Sequence, residues 1–187
     1  MSLYLCSGSE SRALLLRNFD VDFVQKSVAY DEEQIRITIA KDFVYTASKG
    51  KLDAAIRELG LDVPLLCADT VIAAHDGSVL RKAKDIDDAR RILNIQSGST
   101  ISIISSAHYK SKTLAFSDIS ATHYNFSTFE KNDLESYLES GLWKGKAGGC
   151  MVEGFCKKYI QSVDGYESTA MGLQVEVLLP WLVGLGK

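Results

Sequence analysis

Apolar residues along the chain form short continuous runs that are separated by stretches of helical spacing. The run Leu3 to Cys6 predicts a short buried strand, and the run Pro64 to Ala73 predicts a central strand covered on both faces and interrupted by one aspartate. Between these runs, the apolar positions from about Ile39 to Leu59 recur as in an amphipathic helix, which Gly60 ends. This alternation predicts an α/β or α+β protein.

The second half of the chain continues the alternation. Two β-type runs flank a polar turn and predict a long antiparallel pair, and an apolar helix begins near Leu173. The other predicted elements of this half are helices at Asp85 to Ile95 and Glu130 to Ser140 and a strand at Tyr159 to Val163, while the paired strands lie at Ile101 to Tyr109 and Ala115 to Phe126. Because neither a linker nor a repeat interrupts these elements, we interpret residues 1–187 as one domain, with room for two lobes beside a cleft.

Composition agrees with one ordinary globular domain. The 187 residues are 46% apolar and 24% charged, with two prolines, which excludes a disordered or collagen-like chain. The 21 Lys and Arg residues against 24 Asp and Glu residues leave a net charge of -3. Because non-specific binding to nucleic acid depends on a cationic excess, we expect no nucleic-acid partner, whereas a small anionic ligand is compatible with this charge.

The sequence contains no recognisable targeting segment. No apolar run approaches the roughly 20 residues that cross a bilayer, and the N-terminal segment lacks the basic residues of a signal peptide. We therefore expect a cytoplasmic protein with no membrane partner. Of the four cysteines, Cys6 and Cys67 lie in apolar runs, as small buried side chains do. We expect these two, Cys150 and Cys156 all to be reduced, with a disulfide as the less favoured alternative.

Common catalytic and metal-binding motifs are absent from the sequence. The three histidines, His75, His108 and His123, do not share metal-ligand spacing, and no Cys-x-x-Cys pair occurs, so a zinc site is not expected. Residues 141–147 approach a phosphate-binding P-loop, but they are one residue short and end in Ala147 where Ser or Thr must bind magnesium. The function therefore has to be inferred from polar residues at the ends of strands.

Polar residues at two strand ends are the first candidates for a functional site. Ser7 to Arg12 join a buried strand to a helix N-terminus, where backbone N–H groups attract phosphate and Arg12 can add a bidentate contact. An ordinary capped helix with a solvated arginine is the alternative. Asp69 lies inside the apolar run, so it is either ion-paired for structural reasons or a functional carboxylate with a raised pKa.

Further charged residues are candidates that no single motif decides. They are the acidic cluster Asp31 to Glu33, Lys51 on the long helix, Lys82 after a predicted Asp76-Gly77 turn, and Glu153 after a run of small residues at 145–149. Each has an ordinary alternative, since acidic clusters are usually solvated turns and lysines usually lie on the surface. Their order along the chain is more informative than any one of them.

Taken in order, these residues resemble the Maf family of nucleoside triphosphate pyrophosphatases. The family's opening S-x-S-P-R-R loop is matched by residues 7–12, in which Glu10 and Ser11 replace the proline and the first arginine. The other matches are Asp31-Glu32 for its D-E pair, Lys51 for its helix lysine, Ala68-Asp69-Thr70 for A-D-T, Lys82 for the G-K-P lysine, Gly145-Lys146-Ala147-Gly148 for D-K-A-G, Val152-Glu153-Gly154 for I-Q-G and Gly172-Leu173-Gln174 for G-L-P. Ile101 stands where the family has a histidine and Thr169 where it has a late asparagine, so the chain is similar to the family as a divergent member.

The resemblance implies both a fold and an activity. The fold is similar to that of the inosine triphosphate pyrophosphatase-like proteins, an α/β architecture with a long twisted mixed sheet, flanking helices and two lobes around a cleft. The implied activity is hydrolysis of a nucleoside triphosphate, such as dTTP, UTP or a modified nucleotide, to the monophosphate and pyrophosphate. A nucleotide-binding regulator of septum formation with little or no turnover is the alternative, as is a phosphatase that releases inorganic phosphate. The expected partner is a small nucleotide, and a homodimer is compatible with the resemblance.

The resemblance also implies a role for each matched residue. Asp69 is expected to be the general base or a metal ligand, and Glu32 to bind the metal or orient water. Because carboxylate oxygens suit hard cations, the expected cofactor is Mg²⁺ or Mn²⁺. The residues expected to bind substrate are Ser7, Ser9, Arg12, Lys51 and Lys82 at the triphosphate and Glu153 at the base or at a second metal ion.

Overall fold

The computed structural model describes residues 3–183, which form a mixed α/β fold. Its elements, in chain order, are β1 (Leu3–Leu5), α1 (Glu10–Asn18), β2 (Phe23–Gln25), α2 (Ala40–Leu59), β3 (Leu65–Ala73), β4 (Val79–Leu80), α3 (Ile86–Gln96), β5 (Thr100–Lys110), β6 (Ala115–Phe126), α4 (Lys131–Ser140), β7 (Ile160–Asp164), α5 (Glu167–Ala170) and α6 (Val175–Val183). Two 3-10 turns precede α2 and β7, at Glu32–Gln34 and Phe155–Tyr159. The predicted domain spans residues 1–187, and its two ends lie outside the described residues. The first residues of the segment that is expected not to be a signal peptide also lie outside them.

The seven strands of the described residues form one mixed sheet. Its order is β2-β1-β3-β5-β6-β7, and β4 pairs with the end of β3. Strand β1 runs parallel to both β2 and β3, with Tyr4 opposite Val24 and Leu65. Strands β4 and β7 run antiparallel to β3 and β6. The mixed sheet with flanking helices that the resemblance implies is confirmed.

Strand β3 shows how the sequence builds a core on two faces. Leu65 and Cys67 belong to a cluster that includes apolar residues of α2, whereas Leu66 and Ala68 belong to a cluster that includes apolar residues of α1 and α6. Successive side chains of a strand point to opposite faces, so an unbroken apolar run is what a strand covered on both sides requires. The predicted central strand is therefore confirmed.

Capping residues confirm the predicted helix boundaries. Ser9 caps α1, and its Oγ accepts a hydrogen bond from Arg12 N at 3.4 Å. Helices α2 and α4 end at Gly60 and Gly141, whose φ angles of 69° and 68° favour glycine. Strand β2 and helix α5 were not predicted, because segments of three and four residues carry too little periodicity. None of the helices within residues 3–183 is long and apolar enough to cross a membrane.

The chain divides into two compact units. The first comprises the chain through Thr70, Ile104–Ala121 and the segment from Tyr166 onward, and the second comprises Val71–Ile103 and Thr122–Gly165. The first unit contains both core clusters around β3. The second contains the β3–β4 hairpin, in which Ala74 N donates to Ser78 O at 2.9 Å across the predicted Asp76-Gly77 turn. The single domain with a cleft between lobes stays a prediction.

The cysteines correct one expectation. Cys6 and Cys67 are free and buried, as predicted, but Cys150 and Cys156 form a disulfide. The expectation of four reduced thiols is therefore wrong for this pair, because it rested on the expected cytoplasmic location and not on the local fold of the chain. The chain turns back after Cys150, so the Cα atoms of the pair lie 6.6 Å apart, a separation that a disulfide spans.

Candidate active site

The middle of strand β3 carries two adjacent polar residues, Asp69 and Thr70, whose side chains point to opposite faces of the strand. Asp69 continues the face covered by α2, and Thr70 continues the face covered by α1. Asp69 accordingly bonds to Lys51 of α2, and Thr70 bonds to Arg12 of α1. The central strand thus presents a carboxylate to one layer and a hydroxyl group to the other.

Asp69 is a buried carboxylate with only one satisfied oxygen. The residue is 5% exposed, and its Oδ1 accepts a hydrogen bond from Lys51 Nζ at 2.6 Å. Its Oδ2 has no hydrogen-bond partner among residues 3–183. Burial raises the pKa of Asp69, the positive charge of Lys51 opposes the rise, and the negative charge of Glu32 adds to it. Because buried polar atoms are normally paired, Oδ2 is the chemically available atom of this site.

Lys51 joins Asp69 to Glu32. Its ammonium group forms an ion pair with each carboxylate, through Glu32 Oε1 and Asp69 Oδ1. Glu32 begins the Glu32–Gln34 turn, and the preceding Asp31 caps that turn, so the two members of the D-E pair have different roles. Two carboxylates share one ammonium group, which leaves one negative charge in excess and a third N–H of Lys51 for another acceptor.

Arg12 lies on the other face of β3 and is 9% exposed. Its Nε donates to Gly172 O at 2.8 Å. Its Nη1 donates to Ser7 Oγ at 2.9 Å, and its Nη2 donates to Thr70 Oγ1 at 3.1 Å. The solvated arginine that the sequence left open is therefore wrong, and the guanidinium group is held by protein atoms on both edges.

The Ser7–Arg12 loop is a capped helix start that the serines organise. Ser9 Oγ accepts from Arg12 N, and Ser7 Oγ accepts from Ser9 N at 3.3 Å. Gln25 of β2 ties the loop to the neighbouring strand, because its Nε2 donates a hydrogen bond to Ser7 O at 2.8 Å. Ser7 Oγ accepts bonds from Ser9 and Arg12, so its own hydroxyl hydrogen can donate to a ligand.

Several partners in the first unit were missed by sequence reasoning. Ser105 Oγ lies 2.8 Å from Thr70 Oγ1 and donates to Thr169 O at 2.7 Å. Gln174 Nε2 donates to Ser105 O at 3.3 Å. One usable signal existed, because Ser105 and its neighbour Ser106 are consecutive polar residues between the apolar pair Ile103-Ile104 and Ala107 of β5. Thr169 and Gly172 lie at positions that the family motifs mark, but the motifs do not say that their carbonyl oxygens are the bonded atoms.

Lys82 and Glu153 belong to the second unit. Lys82 is exposed and forms an isolated antiparallel bridge with Ala147, which fixes the matched run of small residues beside it. Glu153 is exposed in the loop that the disulfide closes. The structure thus groups Ser7, Ser9, Arg12, Glu32, Lys51 and Asp69 in one unit. A common site that also includes Lys82 and Glu153 stays a prediction.

The fold and these contacts define a mixed α/β protein with a carboxylate–lysine–carboxylate group beside the middle of its central strand. A family model described as Maf-like protein matches residues 2–185. The chain therefore belongs to the Maf-like protein family, as its motifs indicated.

Bacterial relatives are similar to the chain over nearly their whole length. A protein of Nitratiruptor sp. is 51% identical over 176 residues, which cover 93% of this chain and 95% of that protein. A protein of Helicobacter pylori is 37% identical over 179 residues, with 96% and 94% covered. Both are named nucleoside triphosphate pyrophosphatase.

A solved structure supports the fold. It is titled as a nucleoside-triphosphatase / dITP/XTP pyrophosphatase from Mycobacterium abscessus and matches with a TM-score of 0.50. The match covers 100% of this chain and 99% of that chain at 14% sequence identity. A likeness at this identity concerns architecture alone, and it agrees with the fold that the resemblance implied.

Proposed function

We propose that this protein is a nucleoside triphosphate pyrophosphatase, which hydrolyses the bond between the α and β phosphates and releases the monophosphate and pyrophosphate. The observation that carries the proposal is the buried Asp69 carboxylate, one oxygen of which has no partner within residues 3–183, beside Lys51 and Glu32. Membership of the Maf-like family and the names of its relatives support the same activity.

The charges around Asp69 suit the attack of water on a phosphoryl group. Asp69 Oδ2 can accept a proton from that water, as a positioned general base does. Lys51 holds the Asp69 carboxylate in place, and its third N–H can donate to a phosphate oxygen. Glu32 is held by the same ammonium group and is assigned to orient water or to bind a metal ion.

Mg²⁺ or Mn²⁺ fits the chemistry of this pair of carboxylates. The Glu32 carboxylate is a hard oxygen ligand of the kind these ions prefer, and Asp69 Oδ2 is a second one in the alternative in which Asp69 binds the metal ion instead of taking the proton. In the part of the chain that the structure describes, no group of three or more His, Cys, Asp and Glu side chains is placed to hold a metal ion. Substrate phosphates would therefore supply further ligands, as is usual for Mg²⁺. A bound ion would neutralise charge on the phosphate oxygens.

The remaining assignments follow from the family motifs. Ser7, Ser9 and Lys82 bind the triphosphate, and Glu153 contacts the base or a second metal ion. The substrate is dTTP, UTP or a modified nucleotide. The cytoplasmic location and the homodimer stay predictions.

A panel of ribonucleoside and deoxyribonucleoside triphosphates, incubated with and without Mg²⁺ or Mn²⁺, tests the proposed function. Monophosphate and pyrophosphate in equal amounts are the expected products. The Asp69→Asn variant should give almost no product. The matched control is Asp62→Asn, because the Asp62 side chain is 93% exposed and pairs only with Lys112 among the described ion pairs.

Other products identify the alternatives. Release of inorganic phosphate with a nucleoside diphosphate would replace the proposal by a phosphatase. Nucleotide binding without turnover on any member of the panel would favour the regulator of septum formation. Preference within the panel decides between dTTP, UTP and modified nucleotides.

A further inference from the structure

The hydrogen bonds that Arg12 makes to described residues all go to atoms of the first unit. Three of its five N–H groups donate to Gly172 O, Ser7 Oγ and Thr70 Oγ1, at 2.8–3.1 Å. These acceptors lie on three separate segments: the turn before α6, the loop before α1, and the middle of β3. All three are neutral oxygens, so the side chain links backbone segments and does not neutralise a bonded carboxylate.

The acceptors of Arg12 are themselves held in place. Thr70 Oγ1 lies 2.8 Å from Ser105 Oγ, which in turn donates to Thr169 O. Gly172 has a φ of +108°, and a Cβ atom there would lie 3.2 Å from Thr70 Oγ1 and 3.3 Å from Arg12 Nε. The close approach of this carbonyl to the guanidinium group therefore requires glycine.

The chemistry of arginine suits this arrangement. A planar fork with donors on two edges can reach three acceptors at fixed angles, whereas a lysine ammonium group is a compact point charge. Burial lowers the pKa of Arg12, and the negative charges of Asp69 and Glu32 oppose that change. The carboxylates of Asp69 and Glu32, on the other face of β3, thus stabilise the Arg12 cation. Its hydrogen bonds go to Thr70, Ser7 and Gly172 on its own face.

We propose that Arg12 is a positioning residue, which through Thr70 fixes the middle of β3 and so the orientation of the adjacent Asp69. This role differs from the triphosphate contact that the family resemblance implies. It rests on the proposed function, because it takes Asp69 as the reacting group. A displaced reacting group slows the chemical step far more than it weakens binding.

The variant Arg12→Met tests the proposal, with Arg17→Met as its matched control. Arg17 lies on the same helix, its side chain is 55% exposed, and it pairs with Glu10. For Arg12→Met we expect kcat to fall about a hundredfold and KM to change by less than about threefold. Arg12→Lys should show the same loss of kcat, because lysine keeps the charge but cannot span the three acceptors.

Two further measurements separate positioning from phosphate binding. Calorimetric affinities for a nucleoside monophosphate and for a non-hydrolysable triphosphate should fall by the same small factor in Arg12→Met. In a double-mutant cycle, Arg12→Met should cause little further loss of kcat once Thr70→Val has removed the shared acceptor. Thr70→Val alone, which removes one acceptor of Arg12, should give a smaller kcat loss at unchanged KM, so the proposal stays testable if Arg12→Met does not fold.

Opposite results would overturn the proposal. They are a loss of affinity confined to the triphosphate, recovery of kcat by Arg12→Lys, or independent effects of Arg12 and Thr70. If Asp69→Asn retains full turnover, the proposed function is wrong. If Asp69→Asn is inactive while Arg12→Met is normal, only the role of Arg12 is wrong. If the wild type binds nucleotide without turnover, the two affinities still distinguish positioning from triphosphate contact.

Discussion

The two faces of strand β3 differ in the charge of the groups that bond to them, although Asp69 and Thr70 are neighbours in sequence. On the α2 face, two carboxylates share the ammonium group of Lys51, and Asp69 Oδ2 has no partner in the described range. On the α1 face, Arg12 and Thr70 are joined to neutral oxygens in a connected network. The difference supports the two proposals made above, that the first face carries the reacting group and that the second holds it in place.

Replacing Asp69 by asparagine should produce the largest change. We expect Asp69→Asn to lower turnover by at least about a hundredfold, as loss of a positioned general base does. Its melting temperature at neutral pH should stay equal or rise. The reason is that the pKa of Asp69 is raised in the folded state, so ionisation costs stability as pH rises above the pKa of the unfolded chain. Steady-state kinetics and thermal unfolding check both results, and near-normal turnover would contradict the assignment.

Replacing Lys51 should change both rate and pH dependence. We expect Lys51→Met to lower turnover by about tenfold or more, because a positive charge near the phosphates is lost. That charge also lowers the pKa of Asp69, so this pKa should rise in the variant. As the pH is lowered, the variant should therefore lose activity at a higher pH than the wild type does. A pH profile of kcat/KM measures the shift.

Lys49→Met is the matched control for the Lys51 variant. Lys49 lies on the same helix and pairs with Asp53, with a side chain that is 45% exposed. Its profile should match that of the wild type. If the acid limb of the Lys51→Met profile moves to lower pH instead, the ion pair between Lys51 and Asp69 does not control the pKa of Asp69.

Replacing Lys82 tests a cation that belongs to neither face of β3. We expect Lys82→Ala to raise KM or lower turnover by about tenfold, the value of one charge-assisted hydrogen bond. Melting temperature should hardly change, since Lys82 is exposed. The neighbouring exposed residue gives the control Lys84→Ala. A large fall in melting temperature with normal kinetics would instead assign Lys82 a structural role.

Replacing Gly172 should give the smallest effect, on stability. Gly172→Ala places a Cβ atom 3.2 Å from Thr70 Oγ1 at a φ of +108°. Gly60→Ala has a φ of +69° but no neighbour within 4 Å, so it measures the cost of backbone strain alone. We expect Gly172→Ala to lower the free energy of unfolding by about 1 kcal/mol more than Gly60→Ala. If urea unfolding gives equal losses of free energy for the two variants, the contacts of residue 172 with Thr70 and Arg12 add no cost beyond backbone strain.

The sequence predicted the charged face better than the supporting face. Asp69 was recognisable because a carboxylate inside an apolar strand demands an explanation, and Lys51 and Glu32 followed from the order of the family motifs. The partners of Arg12, which are Ser7, Thr70 and Gly172, also lie in matched motifs, but no motif says that they bond to Arg12. Its acceptor Gly172 O is a backbone atom 160 positions away, and any residue type provides a carbonyl oxygen. The disulfide was missed because no local pattern says that the chain turns back after Cys150.

The burial of Cys6 and Cys67 supplies a kinetic probe of the strand that carries Asp69. The two thiols are 4% and 0% exposed and belong to one cluster between β3 and α2. An alkylating reagent can reach them only when that region opens, so the rate of labelling reports the free energy of local opening. A nucleotide that binds the closed form should slow the labelling in proportion to its occupancy. Ligand affinity would then be readable by mass spectrometry even in a variant that has lost all turnover.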